Sequence, residues 1–418
     1  MTNQLTTRCC IVGGGPAGMM LGLLLARAGI EVAVLEKHGD FLRDFRGDTL
    51  HPSTLEVIAE LGLLDGLLAL PHQRVERLEV DFGGETYTVA DFRKLRVSCP
   101  FIALMPQWDF LDFLAGSAGS WPWFSLHMNT QATGLIRENS RIAGVEAVGP
   151  KGPLAIRADL VVAADGRHSV LREQAGLIGE DFGAPMDVQW FRLDRPDGMD
   201  APLGRFGAGR ILILLPRSDS RGDYWQAGYV IPKGGDAALR QRPFADFQAE
   251  LTGLMPEIAE PVGRLKGWDA VKLLTVKVDR LHDWCRPGFL CIGDAAHAMS
   301  PVAGVGINLA IQDAVAAANL LAGPLTKGAP SVDDLRRVAA RRGWPTRMTQ
   351  RLQLGLQHSL IAETLSADTA PPRAPWMIRL FHSWPWLRRF PARLIGLGLR
   401  PEHVRTPMAP RSPARVSR

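Results

Sequence analysis

A glycine-rich turn near the start of the chain carries the clearest chemical signal in the sequence. Gly13, Gly15 and Gly18 follow an apolar run with the spacing G-x-G-x-x-G, and Glu36 ends the next apolar run. In such a turn the first glycine permits a tight bend, the second lets the backbone approach a pyrophosphate, and the third allows close helix packing. An acid placed like Glu36 can accept a hydrogen bond from a ribose hydroxyl. The spacing therefore predicts a dinucleotide site.

A strand, a helix and a second strand must hold this turn. Residues 7–12 and 30–36 are short apolar runs, and residues 16–28 between them suit an apolar helix, which together predict one βαβ unit. The helix N-terminus would present free N–H groups to the phosphates. We therefore add Pro16 and Ala17, at the start of the helix, and Lys37, beside Glu36, to the cofactor-binding residues.

The chain contains only fragments of a second fingerprint. Residues 207–209 and 304–306 each read Gly-x-Gly but lack the third glycine. One dinucleotide therefore has a dedicated site, which argues against the disulfide reductases that hold FAD and NAD(P)H in separate domains.

Two later apolar runs end in acidic turns. ADLVVAADG at 158–166 and GFLCIGDA at 288–295 have the character of buried parallel strands, so the nucleotide-binding part is discontinuous in sequence. Asp165 and Asp294 follow these runs and are candidate cofactor residues. Two structural alternatives stay open: Asp165 can form an Asp-Gly turn, and Asp294 can cap a helix.

Several segments together resemble the motifs of the para-hydroxybenzoate hydroxylase-like FAD-dependent monooxygenases, the group A flavoprotein monooxygenases. They are the glycine fingerprint, ADLVVAADGRHSVLR and CIGDAAHAMSPVAGVGINLAIQDA, and they span residues 7 to about 320. The resemblance implies that Asp165 and Gly166 lie near the FAD pyrophosphate and the route of NAD(P)H, and that Asp294 binds the ribityl chain. It also implies that Arg46 contacts the FAD phosphates and that Gln107 lies beside the cofactor.

The loop after Asp294 suits a flat ring system. Its glycines leave the backbone bare, and the positive end of the following helix would stabilise the negative charge that a reduced flavin carries. The cofactor-binding residues predicted here are Pro301, Gly304, Gly306, Ile307 and Asn308.

The resemblance implies hydroxylation of an aromatic or conjugated small molecule with NAD(P)H and dioxygen, through a flavin C4a-hydroperoxide and without a metal. Two residues are candidates for activating the substrate. Tyr229 shares a predicted strand face with Trp225 and Ala227, although ordinary core packing explains this pattern equally well. His51 has a side chain whose ordinary pKa lies near neutrality.

Two alternative functions use similar folds. A flavin-dependent halogenase would carry a catalytic Lys and a W-x-W-x-I-P segment, but residues 121–123, Trp-Pro-Trp, continue as Phe-Ser-Leu. A non-catalytic carrier of prenylated proteins would bind no flavin, and the complete fingerprint argues against it.

These patterns predict an α/β fold with three parts. A Rossmann-like FAD-binding domain comprises residues 1–70, 101–180 and 281–345, and an antiparallel-sheet substrate domain comprises residues 71–100 and 181–280. Residues 346–418 form a helical C-terminal region, whose basic end has too few apolar residues to become ordered.

Composition limits the class of protein. Hydrophobic residues make up 46% and charged residues 22%, as in a globular protein, and no basic stripe with interleaved aromatics indicates nucleic-acid binding. The five cysteines lack C-x-x-C spacing, so we expect neither a zinc site nor a disulfide framework. We expect a cytoplasmic protein, because no leader precedes the first strand, and no membrane span, because polar residues interrupt the apolar run at 298–323.

The C-terminal region concentrates the positive charge. Residues 371–418 contain ten Arg and one acid, Glu402, whereas the rest of the chain carries four more acids than bases. Trp376, Trp384 and Trp386 alternate with these arginines, a composition that suits contact with a membrane surface. The alternative is that the tryptophans pack on their own protein, since Pro385 and Pro391 break any long helix.

Overall fold

The computed structural model describes residues 3–42, 49–195, 203–219, 222–367 and 372–410. These residues form twenty strands. In chain order they are β1 (Asn3–Val12), β2 (Val32–Leu35), β3 (Thr49–Leu50), β4 (Gln73–Val75), β5 (Arg77–Phe82), β6 (Glu85–Asp91), β7 (Ile102–Leu104), β8 (Phe124–His127), β9 (Gln131–Glu138), β10 (Arg141–Gly149), β11 (Gly152–Ala163), β12 (Gly179–Asp181), β13 (Met186–Asp194), β14 (Leu203–Gly207), β15 (Arg210–Asp219), β16 (Gly222–Pro232), β17 (Lys272–Leu274), β18 (Asp279–Leu281), β19 (Cys285–Arg286) and β20 (Phe289–Cys291).

The same residues form thirteen α-helices. They are α1 (Pro16–Arg27), α2 (Pro52–Glu60), α3 (Leu64–Leu68), α4 (Gln107–Gly119), α5 (Val170–Gln174), α6 (Asp236–Arg240), α7 (Phe244–Leu254), α8 (Ala259–Gly263), α9 (Gly306–Lys327), α10 (Val332–Leu356), α11 (Glu363–Leu365), α12 (Trp376–Ser383) and α13 (Arg389–Gly396). A π-helical segment, Gln357–Ala362, connects α10 to α11.

An eight-stranded sheet forms the first layer. Its main path runs β19-β20-β11-β1-β2-β8, and β20, β11, β1, β2 and β8 are mutually parallel. β2, β20 and the last four residues of β1 and of β11 are apolar and buried on both faces, as expected for parallel strands covered by helices. The predicted βαβ unit at the N-terminus is confirmed as β1, α1 and β2.

A seven-stranded sheet forms the second layer, in the order β17-β13-β16-β15-β14-β5-β6. One face packs against α7 and α8 through a cluster containing Phe191, Tyr229 and Phe247. The opposite face forms another cluster with Trp190, Val230 and Phe206, and Val302 from the loop before α9 packs against it. The second face is therefore the one turned toward the first layer.

The structure confirms the α/β class and corrects two details. The pair β5 and β14 is parallel, so the second sheet is mixed, because the segment between the two strands passes through the first layer before it returns. The boundary predicted at residue 345 falls inside α10, which accommodates the buried Pro345 within its length.

Helix α9 lies in the centre of the protein. Together with the turn before it, this helix is long and apolar enough to cross a membrane, but 83% of the relevant window is buried inside the protein. Its fifteen buried residues pack on α1 and α10, which is the behaviour of a core helix.

Candidate functional site

The predicted cofactor turns meet at one edge of the eight-stranded sheet. In the parallel register Val12 is opposite both Leu35 and Ala163, and Ala163 is opposite Cys291. The residues that follow these four strand ends are the glycine fingerprint, Glu36, the Asp165 turn and the Asp294 turn. A crevice outside the carboxyl ends of parallel strands is where open α/β sheets bind their ligands.

The fingerprint glycines are required for different reasons. Gly13 has φ of +108°, and a Cβ there would collide with the carbonyl of Ala164. A Cβ at Gly18 would collide with the carbonyl of Gly13, so the third glycine sets how closely α1 packs on the turn. Gly15 precedes Pro16 at the N-terminus of α1, and a Cβ there would meet no protein atom within 4 Å. The glycine at position 15 therefore leaves room that the folded chain itself does not use.

Glu36 is held in place from both sides. One carboxylate oxygen accepts a hydrogen bond from the backbone N–H of Gly14 at 3.0 Å, and the other accepts one from His38 at 3.0 Å. The side chain is buried, and the neighbouring Lys37 is exposed. The carboxylate is thereby fixed beside the fingerprint turn, with lone pairs that can also accept from a hydroxyl group.

The surroundings of Asp165 disfavour its ionised form. Its Oδ1 atom is enclosed and has no hydrogen-bond partner among the described residues. Burial raises the pKa of this carboxyl to about 6, although a hydrogen bond from Ser169 and the charges of Arg172 and Lys37 act to lower it. The adjacent Gly166 has φ of +87° and open space at its Cβ position. The turn therefore offers a buried acceptor next to bare backbone.

Asp294 does not cap the turn in which it lies. It is the second residue of a short 3-10 helix, Gly293–Ala295, whose N-cap position is Ile292. The Cβ position of Gly293 is close to Ala17 of α1 and Ala310 of α9, at 3.1 and 3.3 Å. The two helices thus confine the backbone that presents the half-buried Asp294 at the sheet edge.

The buried carboxylate of Asp313 holds the Asp294 turn in place. The sequence analysis did not assign this residue to the site. Asp313 accepts hydrogen bonds from the backbone N–H of Gly293 at 3.0 Å, from His297 at 2.6 Å and from Arg342 at 3.0 Å. Burial acts to raise the pKa of Asp313, but the charges and hydrogen bonds of His297 and Arg342 outweigh it, so the pKa lies below its ordinary value. The available signal was an acid in the middle of an otherwise apolar helix.

The loop before α9 has an unusual backbone. Ala303 and Gly304 both have positive φ values, 63° and 61°, and the hydroxyl of Thr49 donates to the carbonyl of Gly304 at 2.8 Å. Pro301 begins this bend, and Gly306 is the first residue of α9. Positive φ at a non-glycine residue persists only where the surroundings hold it, and functional sites are frequent places for it.

His51 and Asn308 join α2 to the start of α9. The Asn308 amide oxygen accepts from the His51 backbone N–H at 3.0 Å and from the Thr54 hydroxyl at 2.6 Å, so its side chain is directed toward α2. The preceding residue, Ile307, belongs to the core. The expected near-neutral pKa of His51 is wrong, because burial lowers it to about 4. The imidazole is therefore neutral at physiological pH, with Nδ1 donating to the carbonyl of Ile395 at 2.7 Å.

The family resemblance assigned two further residues, Gln107 and Arg46, to the cofactor site. Gln107 is the first residue of α4 and is half-buried. Arg46 lies outside the described residues, so its predicted contact with the FAD phosphates stays a prediction.

The structure does not bring Tyr229 to the cofactor edge. Its ring packs on Phe247 with centroids 5.5 Å apart, and its hydroxyl donates to Glu250 at 3.2 Å. Burial raises the pKa of the Tyr229 hydroxyl well above its ordinary value, which favours the neutral phenol. The strand alternation that suggested an aromatic pocket places Tyr229 on the helix-covered face, so we correct its assignment to core packing.

The opposite face contains a polar pair that the sequence analysis missed. Arg217 shares a strand face with Leu215, and Gln226 shares one with Val230, so both lie on the face toward the first layer. Both are buried, and the Arg217 Nε donates to the Gln226 Oε1 at 2.8 Å. The only sequence signal was one arginine at the end of an alternating apolar strand. The pair places a buried guanidinium on this face.

The residues present fit FAD. The open Cβ position at Gly15, the fixed carboxylate of Glu36 and the enclosed acceptor of Asp165 are grouped on the edge formed by β20, β11, β1 and β2. The free N–H groups at the start of α1 suit a pyrophosphate, and the carboxylates suit hydroxyl groups.

Comparison with known proteins agrees with this geometry. Residues 6–350 match the family model described as an FAD binding domain. The chain is 33% identical over 374 residues to 6-methylpretetramide 4-monooxygenase of Streptomyces rimosus, which covers 89% of this chain and 88% of that protein.

Solved structures show the same fold at lower identity. p-Nitrophenol 4-monooxygenase from Pseudomonas putida superposes with a TM-score of 0.77 at 18% identity, covering 96% of this chain and all of the other. The flavin-dependent brominase Bmp2 superposes with a TM-score of 0.75 at 16% identity, covering 94% and 93%. The sequence relationship favours oxygen insertion over halogenation, because the relative with the higher identity is a monooxygenase. The chain belongs to the FAD-binding domain family and is an FAD-dependent flavoprotein monooxygenase.

Proposed function

We propose that this monooxygenase hydroxylates a flat, fused-ring phenol. The observation that carries the proposal is the contact between the Pro301–Gly306 loop and the second sheet, where Val302 packs against a face that contains Trp190, Phe82 and Phe206. The last two rings are stacked, with centroids 4.6 Å apart. Such a face suits a flat aromatic substrate.

The proposed division of labour follows the two layers. Residues 1–70, 101–180 and 281–345 would hold FAD, which would carry electrons from NAD(P)H and activate dioxygen when bound. Residues 71–100 and 181–280 would place the substrate. The chain itself would exclude water with the apolar face and orient the ring against the loop.

The reductant is NAD(P)H, as is typical of the family, and we propose that it reaches the flavin near Asp165 and Gly166. The bare backbone at Gly166 and the buried acceptor at Asp165 support this position. We also propose a cytoplasmic enzyme that contacts a membrane surface through its C-terminal region.

A compound screen tests the proposed reaction. Purified, FAD-loaded protein is mixed with NADH or NADPH and a panel of monocyclic and fused-ring phenols, while NAD(P)H oxidation and product mass are followed. We expect fused-ring phenols to accelerate oxidation and to gain one oxygen atom. Acceleration by monocyclic phenols alone would contradict the substrate class, and halogenated products in the presence of bromide would favour a halogenase instead.

A further inference from the structure

The helices α12 and α13 and the turn between them carry many exposed apolar side chains. We call this group the tryptophan surface, and it consists of Trp376, Met377, Leu380, Trp384, Trp386, Phe390 and Leu394. The exposed fractions of the three tryptophans are 67%, 55% and 50%. The described part of the chain exposes sixteen large hydrophobic residues, and seven of them lie between residues 376 and 394. Exposed apolar groups on such a scale mark an interaction site.

The tryptophans are not needed for packing these helices on the protein. Ala392 is fully buried in a cluster with Phe92 and Ile102, and Ile378 packs into the cluster of the second sheet. The His382 ring accepts a hydrogen bond from the backbone N–H of Thr88 at 3.1 Å. Other residues therefore attach the helices, whereas half or more of each tryptophan stays exposed. Packing was the alternative explanation for this tryptophan-rich segment, and it does not account for the exposure.

The tryptophan surface is strongly basic. Residues 372–400 contain six Arg and neither Asp nor Glu. Arg379, Arg389 and Arg393 are exposed, and the Arg389 guanidinium lies over the rings of Trp386 and Phe390, 5.6 and 5.0 Å from their centroids. Positive charge is thus interleaved with aromatic rings rather than separated from them.

From this combination we propose that the tryptophan surface binds the surface of an anionic phospholipid bilayer. Tryptophan is enriched at the headgroup level of membranes, where its ring is apolar and its N–H finds polar partners. Arginines placed among the rings would contact the lipid phosphates. The elements are short helices broken at Pro385, which fits binding in the plane of the interface rather than insertion across it.

Charge argues against a second copy as the occupant. In a twofold symmetric dimer the same patch faces itself, so the arginines of the two copies would lie opposite one another with no acid from residues 372–400 to compensate them. An anionic bilayer instead supplies the complementary charge over the whole surface. The proposal does not depend on the identity of the substrate.

Vesicle sedimentation tests the proposal with the full-length, FAD-loaded protein. We expect binding to mixed phosphatidylcholine–phosphatidylglycerol vesicles and much weaker binding to phosphatidylcholine alone. Replacing Trp376, Trp384 and Trp386 by Ser should weaken lipid affinity at least about tenfold. Replacing Arg379, Arg389 and Arg393 by Gln should weaken it about a hundredfold. Because all six side chains are exposed, flavin content and circular dichroism should match the wild-type protein.

A matched variant on α10 serves as control. Trp344→Ser combined with Arg336→Gln and Arg337→Gln removes an exposed tryptophan and two exposed arginines from a different surface, and it should bind vesicles as the wild type does. Failure of the wild type to sediment with anionic vesicles would overturn the proposal, as would unchanged binding of the two test variants. A concentration-dependent dimer that the tryptophan variant abolishes, without lipid binding, would assign the surface to a second copy.

Discussion

Gly13 and Gly15 lie two residues apart in one turn but are constrained by different partners. Gly13 needs its positive φ and its contact with Ala164 for the chain to fold, whereas Gly15 has an ordinary φ of −74° and space that no protein atom fills. We expect Gly15→Ala to change the free energy of unfolding of the apoprotein by less than about 1 kcal/mol. The same change should raise the Kd for FAD about a hundredfold, equivalent to about 2.7 kcal/mol.

Gly13→Ala is the matched comparison. It should lower the free energy of unfolding of the apoprotein by about 1–3 kcal/mol, because an alanine must adopt a strained backbone there. Chemical denaturation of both apoproteins and quenching of FAD fluorescence on titration separate the two effects. Equal FAD affinity of Gly15→Ala and wild type would show that the pyrophosphate does not approach position 15.

The buried carboxyl of Asp165 makes a pH-dependent prediction. Its pKa in the folded chain is raised to about 6, above the value of about 3.9 expected in the unfolded chain. The folded apoprotein therefore binds this proton more tightly, and the corresponding stability is lost as the pH rises from about 4 to 6. Asp165→Asn should be more stable than wild type by up to about 2 kcal/mol at pH 7 and equally stable at pH 4.

Thermal denaturation of the two apoproteins across this pH range provides the measurement. Asp283→Asn, which changes an exposed side chain, is the control and should show no such difference. If the gain from Asp165→Asn were the same at pH 4 and pH 7, its cause would not be ionisation of this carboxyl.

At the level of elements, the site depends on how α9 and α10 hold the Asp294 turn. Asp313 of α9 receives the Gly293 N–H, and Arg342 of α10 pairs with Asp313 and with Glu402. Asp313→Asn removes the charge and leaves a buried guanidinium with less compensation, so we expect a loss of about 3 kcal/mol in stability. Because the turn loses its support, FAD should also dissociate more readily.

Asp333→Asn, at the exposed start of α10, is the control. It should leave the free energy of unfolding and the rate of FAD dissociation unchanged. Urea denaturation and the rate of FAD loss on dilution measure them. An Asp313→Asn protein that loses neither stability nor flavin retention would mean that the turn is held by backbone packing alone.

Short-range sequence patterns predicted the strands and turns of the cofactor site. They did not predict contacts between segments that are distant in sequence. The glycine fingerprint and the acidic turns follow short apolar runs, so the strand ends that carry them could be placed from the sequence. The parallel pairing of β5 and β14 depends on a return from the first layer, which alternation cannot show. The same limit explains Tyr229, because alternation separates two faces of a strand without saying which one helices cover.

Considered as a whole, the molecule is closed by its C-terminal segment. Residues 400–410 cross from α10 to α1, and the backbone N–H of Ala409 donates to the carbonyl of Arg27 at 2.8 Å. On the way, Glu402 pairs with Arg341 at 2.6 Å, and the Val404 N–H donates to Glu60 at 2.7 Å. A segment without regular secondary structure is thus fixed by specific polar contacts to three parts of the first layer.

Two truncations measure what this closure contributes. Ending the chain after residue 398 removes the buried Glu402 from Arg342, together with the hydrogen bonds to Arg27 and Glu60, and should lower the free energy of unfolding by about 3 kcal/mol or more. Ending it after residue 410 keeps all of these contacts and should leave the midpoint of thermal denaturation unchanged. Both proteins retain the tryptophan surface, so a parallel loss of vesicle binding is not expected from either. A stable protein ending at 398 would show that α9 and α10 hold the FAD-binding layer together without the segment that crosses them.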